Sequence, residues 1–137
     1  MNNNKEGRSP DIDIPMSKEK LIPQLRFPEF ESEGEWDSTP LDDLCELITK
    51  GTTPTTLGFS YTEAGVNFIK IESILEGNIK LEKAAFISIE CNEAFKRSQL
   101  KEDDILFSIA GALGVVTTVT KEILPANTNQ ALSIVRL

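Results

Sequence analysis

The chain of 137 residues carries 22 acidic and 14 basic side chains, a net charge of −8, and 39% of its residues are hydrophobic. This composition is typical of one folded domain and excludes a disordered polymer. No apolar stretch is long enough to cross a membrane, the polar N-terminus lacks the apolar segment of a signal peptide, and Cys45 and Cys91 lack metal-ligand spacing. We therefore expect a reduced, cytoplasmic protein.

The acidic side chains are concentrated near the N-terminus. Residues 1–47 hold 12 acidic and 5 basic side chains, whereas residues 48–137 hold 10 and 9. DNA is attracted by basic surfaces, so the total charge argues against a nucleic-acid partner. The charge of residues 48–137 is nearly neutral and does not argue against one. Charge alone does not decide between DNA and protein partners.

The N-terminal part divides into a tail and an arm. Residues 1–20 are polar without a sustained period, which predicts a flexible tail, and residues 21–137 are predicted to form the folded domain. The arm sets Phe27, Phe30 and Trp36 among acidic residues and prolines. We favour packing of these aromatic rings on the rest of the chain; the alternative is a docking segment for a protein partner.

Short elements follow in the middle of the chain. Proline and acidic residues after Ser38 predict a short helix with a Ser or Thr cap. Three strands are predicted at 66–71, 79–81 and 85–89, and Asn92 is predicted to cap a further short helix.

The most apolar run, residues 103–119, predicts a β-hairpin. Two β-branched segments, 105–109 and 114–119, flank a short connection that contains two glycines. Because both faces of these strands are apolar, we expect the hairpin to be central and covered on both sides, with residues 131–137 in the same sheet. The predicted fold is α+β: a single mixed, mostly antiparallel β-sheet domain with short helices. A chain that stops at Leu137 inside an apolar strand predicts truncation at the C-terminus, an exposed apolar patch beside 131–137, and self-association.

The chain lacks the usual chemistry of an enzyme. It contains no histidine, the commonest general base and metal ligand, and no phosphate-binding or dinucleotide-binding glycine motif. Ser108 has no residue to activate it and is interpreted as a core serine. We therefore predict a non-catalytic protein with no cofactor and no metal.

Several segments, taken in order, resemble one family. They are Pro23–Phe30 with Gly34–Trp36, Leu41–Leu44, Thr49–Pro54, Val66–Ile74, Glu102–Gly111 with Gly114, and Asn127–Ala131. Over about residues 20–137 they resemble the N-terminal target recognition domain of the specificity subunit of type I restriction–modification systems. The resemblance implies sequence-specific recognition of one part of a split site in double-stranded DNA. It also implies methyltransferase and restriction subunits as partners of the full-length protein; the alternative is a protein-interaction module that uses the acidic, aromatic arm.

Most of the candidate DNA contacts lie on predicted loops. Lysine, arginine and hydroxyl side chains contact phosphates, and Asn can pair with adenine. The candidates are Lys50, Thr52, Thr53, Thr55, Thr56, Lys70, Asn78, Lys80, Lys83, Lys96, Arg97, Ser98, Asn127 and Asn129. We expect them to converge on one side, with the last two near the centre. Two alternatives stay open: the threonines stiffen a connection, or the amides close turns, with Gln130 the more structural member.

Overall fold

A computed structural model describes residues 22–137, in two compact units, one ending at Ser38 and one spanning Thr39–Leu137. The larger unit contains one short α-helix, α1 (Ile89–Ala94). Its strands are β1 (Leu47–Lys50), β2 (Tyr61–Thr62), β3 (Val66–Ile69), β4 (Ile74–Leu75), β5 (Asn78–Ile79), β6 (Ala85–Ile87), β7 (Ile105–Ser108), β8 (Val116–Thr118), β9 (Ala126–Thr128) and β10 (Leu132–Arg136). Its 3₁₀ turns are Leu41–Leu44, Pro54–Leu57, Ile71–Ser73, Leu81–Lys83, Lys96–Ser98 and Lys121–Ile123. No helix of the described residues is long and apolar enough to cross a membrane.

The first sheet has four strands in the order β1-β10-β7-β8, all antiparallel. The predicted pairing of the hairpin and the predicted place of β10 beside it are both confirmed. The expectation that both faces of the hairpin are covered is wrong. β8 is an edge strand, and the outward-facing side chains of Phe107 and Val116 are 44% and 46% exposed.

The inward face of this sheet forms the main core. Leu106, Leu132 and Ile134 are fully buried and pack with Ile69 from the second sheet. Because neighbouring residues of a strand point to opposite faces, the same strands place one apolar set in the core and another outward. The exposed apolar residues expected beside 131–137 are present on the outward face: Ile48 and Phe107, which flank β10, are 43% and 44% exposed, and Leu137 is 67% exposed. Leu132 and Ile134 are covered, and the expected self-association stays a prediction.

The second sheet has the order β2-β6-β3-β9 and lies between the first sheet and α1. Val66 and Phe68 pack on one side of it with Cys91 and Phe95, in and directly after the helix, and Ile69 packs on the other side. β3 and β9 are parallel, and β4 and β5 form a separate two-stranded hairpin. The α+β class with short helices is confirmed, and its strands are divided among three sheets, a division that the sequence pattern did not predict.

Helix α1 begins one turn before the predicted position. The Ser88 hydroxyl accepts a hydrogen bond from the backbone N–H of Cys91 at 3.1 Å and caps the helix. Asn92 lies inside the helix and is buried, so its predicted capping role is wrong. The predicted helix after Ser38 is a 3₁₀ turn preceded by Pro40, without a side-chain cap.

A buried ion pair joins the start of β7 to the end of β10. Asp104 is fully buried and accepts hydrogen bonds from Arg136 Nε and Nη2, each at 2.7 Å, and from the backbone N–H of Lys101 at 2.8 Å. Such two-pronged pairing satisfies a carboxylate that would otherwise be costly to bury.

The smaller unit is described by itself. Arg26 donates hydrogen bonds to the carbonyl oxygens of Phe30, Glu33 and Gly34, which folds residues 26–34 into a tight loop. The side chains of Phe30 and Trp36 are 52% and 67% exposed. The predicted tail at 1–20 lies outside the described residues, and the packing of these rings on the rest of the chain stays a prediction.

Candidate nucleic-acid interface

Four loops meet at one end of the two large sheets, and we call this surface the loop end. It comprises residues 50–57, 70–73, 109–115 and 128–131. β1 and β7 both run antiparallel to β10, so both finish where β10 starts. β3 and β9 run parallel and finish together. The strand directions alone therefore bring the loops that follow β1, β3, β7 and β9 to this end.

Close backbone contacts hold two of these loops together. A Cβ atom at Gly51 would lie 1.8 Å from the carbonyl oxygen of Thr128, so only glycine allows this approach. The Thr53 hydroxyl donates to Gln130 Oε1, and the Thr128 hydroxyl donates to the carbonyl oxygen of Ile69 at 2.8 Å. The threonine-rich loop is thus fixed to the β9–β10 connection, and Gln130 has the structural role that the sequence favoured.

A hollow of about 360 Å³ lies among the other loops of this end. Its lining residues are Ile71, Glu72, Ala110, Gly111, Ala112, Asn129 and Ala131. Gly111 has φ of +81°, and a Cβ there would already touch Ile71 at 3.4 Å. Asn129 Oδ1 accepts a hydrogen bond from the backbone N–H of Ala131 at 3.1 Å, which fixes the orientation of its amide. Sequence reasoning missed Glu72, which lies on the 3₁₀ turn after β3, two positions from Lys70.

The loop end holds two lysines, Lys50 and Lys70, and one acidic residue, Glu72. The Lys70 ammonium lies 5.7 Å from the centre of the Tyr61 ring, within the range of a cation–π interaction. Burial and the nearby Glu72 carboxylate, followed by Cys91, raise the pKa of the Tyr61 hydroxyl above its ordinary value. Lys50 is exposed at the end of β1. The loop end therefore offers lysines for phosphate contacts beside one acidic acceptor.

The predicted contacts at 78–83 belong to the segment that follows Lys70. The Ser73 hydroxyl donates to the carbonyl oxygen of Lys83 at 3.1 Å, and the Lys80 backbone N–H donates to the carbonyl oxygen of Ser73 at 2.8 Å. Asn78 is exposed and donates from Nδ2 to a neighbouring carbonyl oxygen at 2.9 Å. These residues border the loop end through the turn at 70–73.

The predicted contacts at 96–98 lie towards the opposite end of the sheets. Arg136, which follows Ser133 by three positions on β10, donates to the carbonyl oxygen of Gln99, whereas Ser133 pairs with Lys50. Lys96 and Arg97 are exposed. Ser98 is buried, and its hydroxyl donates to a backbone carbonyl at 3.2 Å. The structure does not bring this turn to the loop end.

Asn127 is fully buried, which removes it from the accessible surface. Its Nδ2 donates to Asn92 Oδ1 at 2.8 Å and to the carbonyl oxygen of Phe95 at 3.3 Å, and its Oδ1 accepts from the backbone N–H of Thr128 at 2.9 Å. The amide links β9 to α1, which is close to the structural alternative that the sequence favoured.

Among the remaining predicted hydroxyl residues, Thr52 and Thr53 are half-buried, and Thr55 and Thr56 are exposed.

The comparisons with known proteins give one local similarity. No family model matches the chain. Over 73 residues it is 33% identical to the type I restriction enzyme EcoBI specificity subunit of Escherichia coli. That stretch is 53% of this chain and 15% of the curated protein, so the chain matches only a small part of that relative's length. The chain is locally similar to a type I specificity subunit.

Proposed function

We propose that this chain recognises double-stranded DNA as part of the specificity subunit of a type I restriction–modification system, with the loop end as the DNA-facing surface. The observation that carries the proposal is the meeting of four loops from separate strands, with Lys50, Lys70 and polar side chains on one surface. The local similarity to a specificity subunit supports it. In this role the chain is non-catalytic and acts in the cytoplasm. Its further partners are the methyltransferase and restriction subunits, held by the longer protein.

Two kinds of side chain have different roles on the proposed DNA-facing surface. Lysines neutralise phosphates regardless of sequence, whereas amide and carboxylate groups discriminate among bases. Lys50 and Lys70 are placed for the first role, with Lys80 and Lys83 at the border. Because each phosphate contact releases bound counterions, we expect the binding to DNA to weaken as the salt concentration rises.

The test is binding of the full chain to duplex DNA at low and at physiological salt. Lys50→Ala and Lys70→Ala should each weaken binding to every sequence and reduce the slope of log affinity against log salt by about 0.9. Lys121→Ala is the matched control, because Lys121 is exposed and lies near the start of β3 rather than its end. Absence of binding at low salt, or an equal loss in the control, would refute the proposal.

The smaller unit supports a second candidate function, a docking site for a basic protein segment. Its hollow of about 430 Å³ is lined by Leu25, Phe27, Phe30 and Trp36 among others, with Glu33 and Glu35 at its edge. The unit holds five acidic side chains beyond position 28, and the only arginine of residues 22–38 donates to backbone carbonyls. The combination favours a cationic segment with apolar side chains.

The single tryptophan of the chain makes this candidate testable. Titration with a synthetic peptide of alternating lysine and leucine should shift the Trp36 emission to shorter wavelength, and salt should weaken the effect. A glutamate–leucine peptide is the control. Equal responses to the two peptides, or none to either, would exclude this function.

A further inference from the structure

The hollow of the loop end offers one fixed donor and one acceptor. Glu72 is exposed there, and an ionised carboxylate only accepts hydrogen bonds. The Asn129 amide is oriented by its bond from Ala131, which occupies Oδ1. Because the two ends of an amide differ, this bond leaves the Nδ2 group as the donor, and Nδ2 has no partner among the described residues.

The remaining walls of the hollow admit the edge of a flat ring. They consist mainly of small side chains, three alanines and Gly111, with Ile71 on one side. Small side chains let a planar group approach Glu72 and Asn129 closely, and the apolar surroundings strengthen the hydrogen bonds made there.

Each base edge meets this donor and acceptor differently. In the major groove adenine presents the N6 amino donor beside the N7 acceptor. Guanine presents two acceptors, and thymine presents the O4 acceptor and a methyl group, so the Glu72 carboxylate repels both. Cytosine presents only the N4 amino donor. Among the four single base edges, adenine alone offers both a donor for Glu72 and an acceptor for Asn129.

Resting on the function proposed above, we propose that this hollow reads an adenine edge: Glu72 accepts from the N6 amino group and Asn129 Nδ2 donates to N7. A carboxylate near DNA is repelled by phosphates, so Glu72 lowers affinity for every site that does not supply an amino hydrogen. Lys70, two positions before it, offsets part of that repulsion through phosphate contacts. The carboxylate is therefore a selective element rather than a source of general affinity.

The experiment selects duplexes from a randomised pool with the full chain and sequences the bound fraction. The wild-type pool should contain one position at which adenine is preferred over guanine or thymine by about 5- to 150-fold, the range of one paired contact. Glu72→Gln keeps the shape but adds a donor, so guanine and thymine should become tolerated at that position and total affinity should rise.

A second substitution tests the other half of the pair. Asn129→Asp keeps an oxygen for the Ala131 N–H but replaces the donor with an acceptor, so the preference should move from adenine to cytosine. Glu82→Gln is the control, because it removes the same charge from a nearby exposed turn that does not line the hollow. Circular dichroism spectra should be equal for all four proteins.

The outcomes separate the two proposals. If the wild-type chain retains no DNA at low salt, both the proposed function and this inference are overturned. If it retains DNA with a base preference that Glu72→Gln and Asn129→Asp leave unchanged, only the adenine contact is overturned. If Glu82→Gln relaxes the same position as Glu72→Gln, the effect is general electrostatics and the assignment to the hollow is wrong.

Discussion

Replacing Asn127 with alanine tests whether this amide is a structural residue or a base-reading residue. The side chain is fully buried between β9 and α1. Its loss leaves two buried groups without their partner, Asn92 Oδ1 and the backbone N–H of Thr128. The carbonyl oxygen of Phe95 retains its hydrogen bonds from Ser98.

The size of the effect follows from these two groups. Each unsatisfied buried polar group costs about 1–3 kcal/mol, so partial relaxation gives an expected loss of about 3 kcal/mol in the free energy of unfolding. For a domain of this size that corresponds to a fall in Tm of roughly 10 °C. Asn129→Ala is the comparison: it loses one hydrogen bond at a half-buried site and should cost about 1 kcal/mol.

Urea unfolding followed by circular dichroism measures both losses, and DNA selection on the folded proteins measures base preference. Asn127→Ala should be clearly less stable but select the same sequences as the wild type, whereas Asn129→Ala should be nearly as stable and less selective. An Asn127→Ala protein of wild-type stability with a changed base preference would refute the structural assignment.

Three further predictions concern the buried ion pair and the cysteines. Arg136→Met leaves the fully buried Asp104 carboxylate without its partner and should cost about 3–5 kcal/mol, measured by urea unfolding; a loss below 1 kcal/mol would show that the carboxylate is satisfied in another way. Iodoacetamide should alkylate the half-exposed Cys45 and spare the buried Cys91 in the native chain, read by mass spectrometry, with equal labelling in urea as the control. Because burial raises the pKa of the Cys91 thiol above its ordinary value of 9.0, the native state keeps a proton that the unfolded chain releases. The free energy of unfolding should therefore be insensitive to this group below about pH 8 and fall as the pH rises further, and a Cys91→Ala protein should lose that part of the decline.

The sequence predicted the local pairing of strands because their side-chain alternation is strong. The segments around Phe107 and Val116 pair as expected, and β10 joins them. Their burial was predicted less well, because an apolar residue on the outer face of a sheet looks the same in a sequence as one in the core. The division into separate sheets also depends on which strands pair over long distances, and single strands carry no signal for that.

The candidate site shows the same limit. Lys50 was predicted on a loop and is the last residue of β1, and Lys70 was predicted inside a strand and directly follows β3. Asn127 and Asn129 are two positions apart, but one is in a strand and fully buried and the other is in the connection after it. In a strand, side chains two positions apart point to the same side. This rule does not apply to Asn127 and Asn129, because β9 ends at Thr128, between them.

The contrast between these two amides bears on the DNA-reading surface proposed above. Buried polar bonds fix the ends of the strands: Asn127 joins β9 to α1, and the Thr128 hydroxyl joins it to β3. The side chains that line the hollow, among them Glu72 and Asn129, are exposed or half-buried and carry few hydrogen bonds in the fold. Substitutions at such positions should change the free energy of unfolding by about 1 kcal/mol or less. Under the proposed function, the loop end can therefore change which base it prefers while the strands beneath it stay in place, and the fixed residues should be recognised by their effect on unfolding rather than on DNA selection.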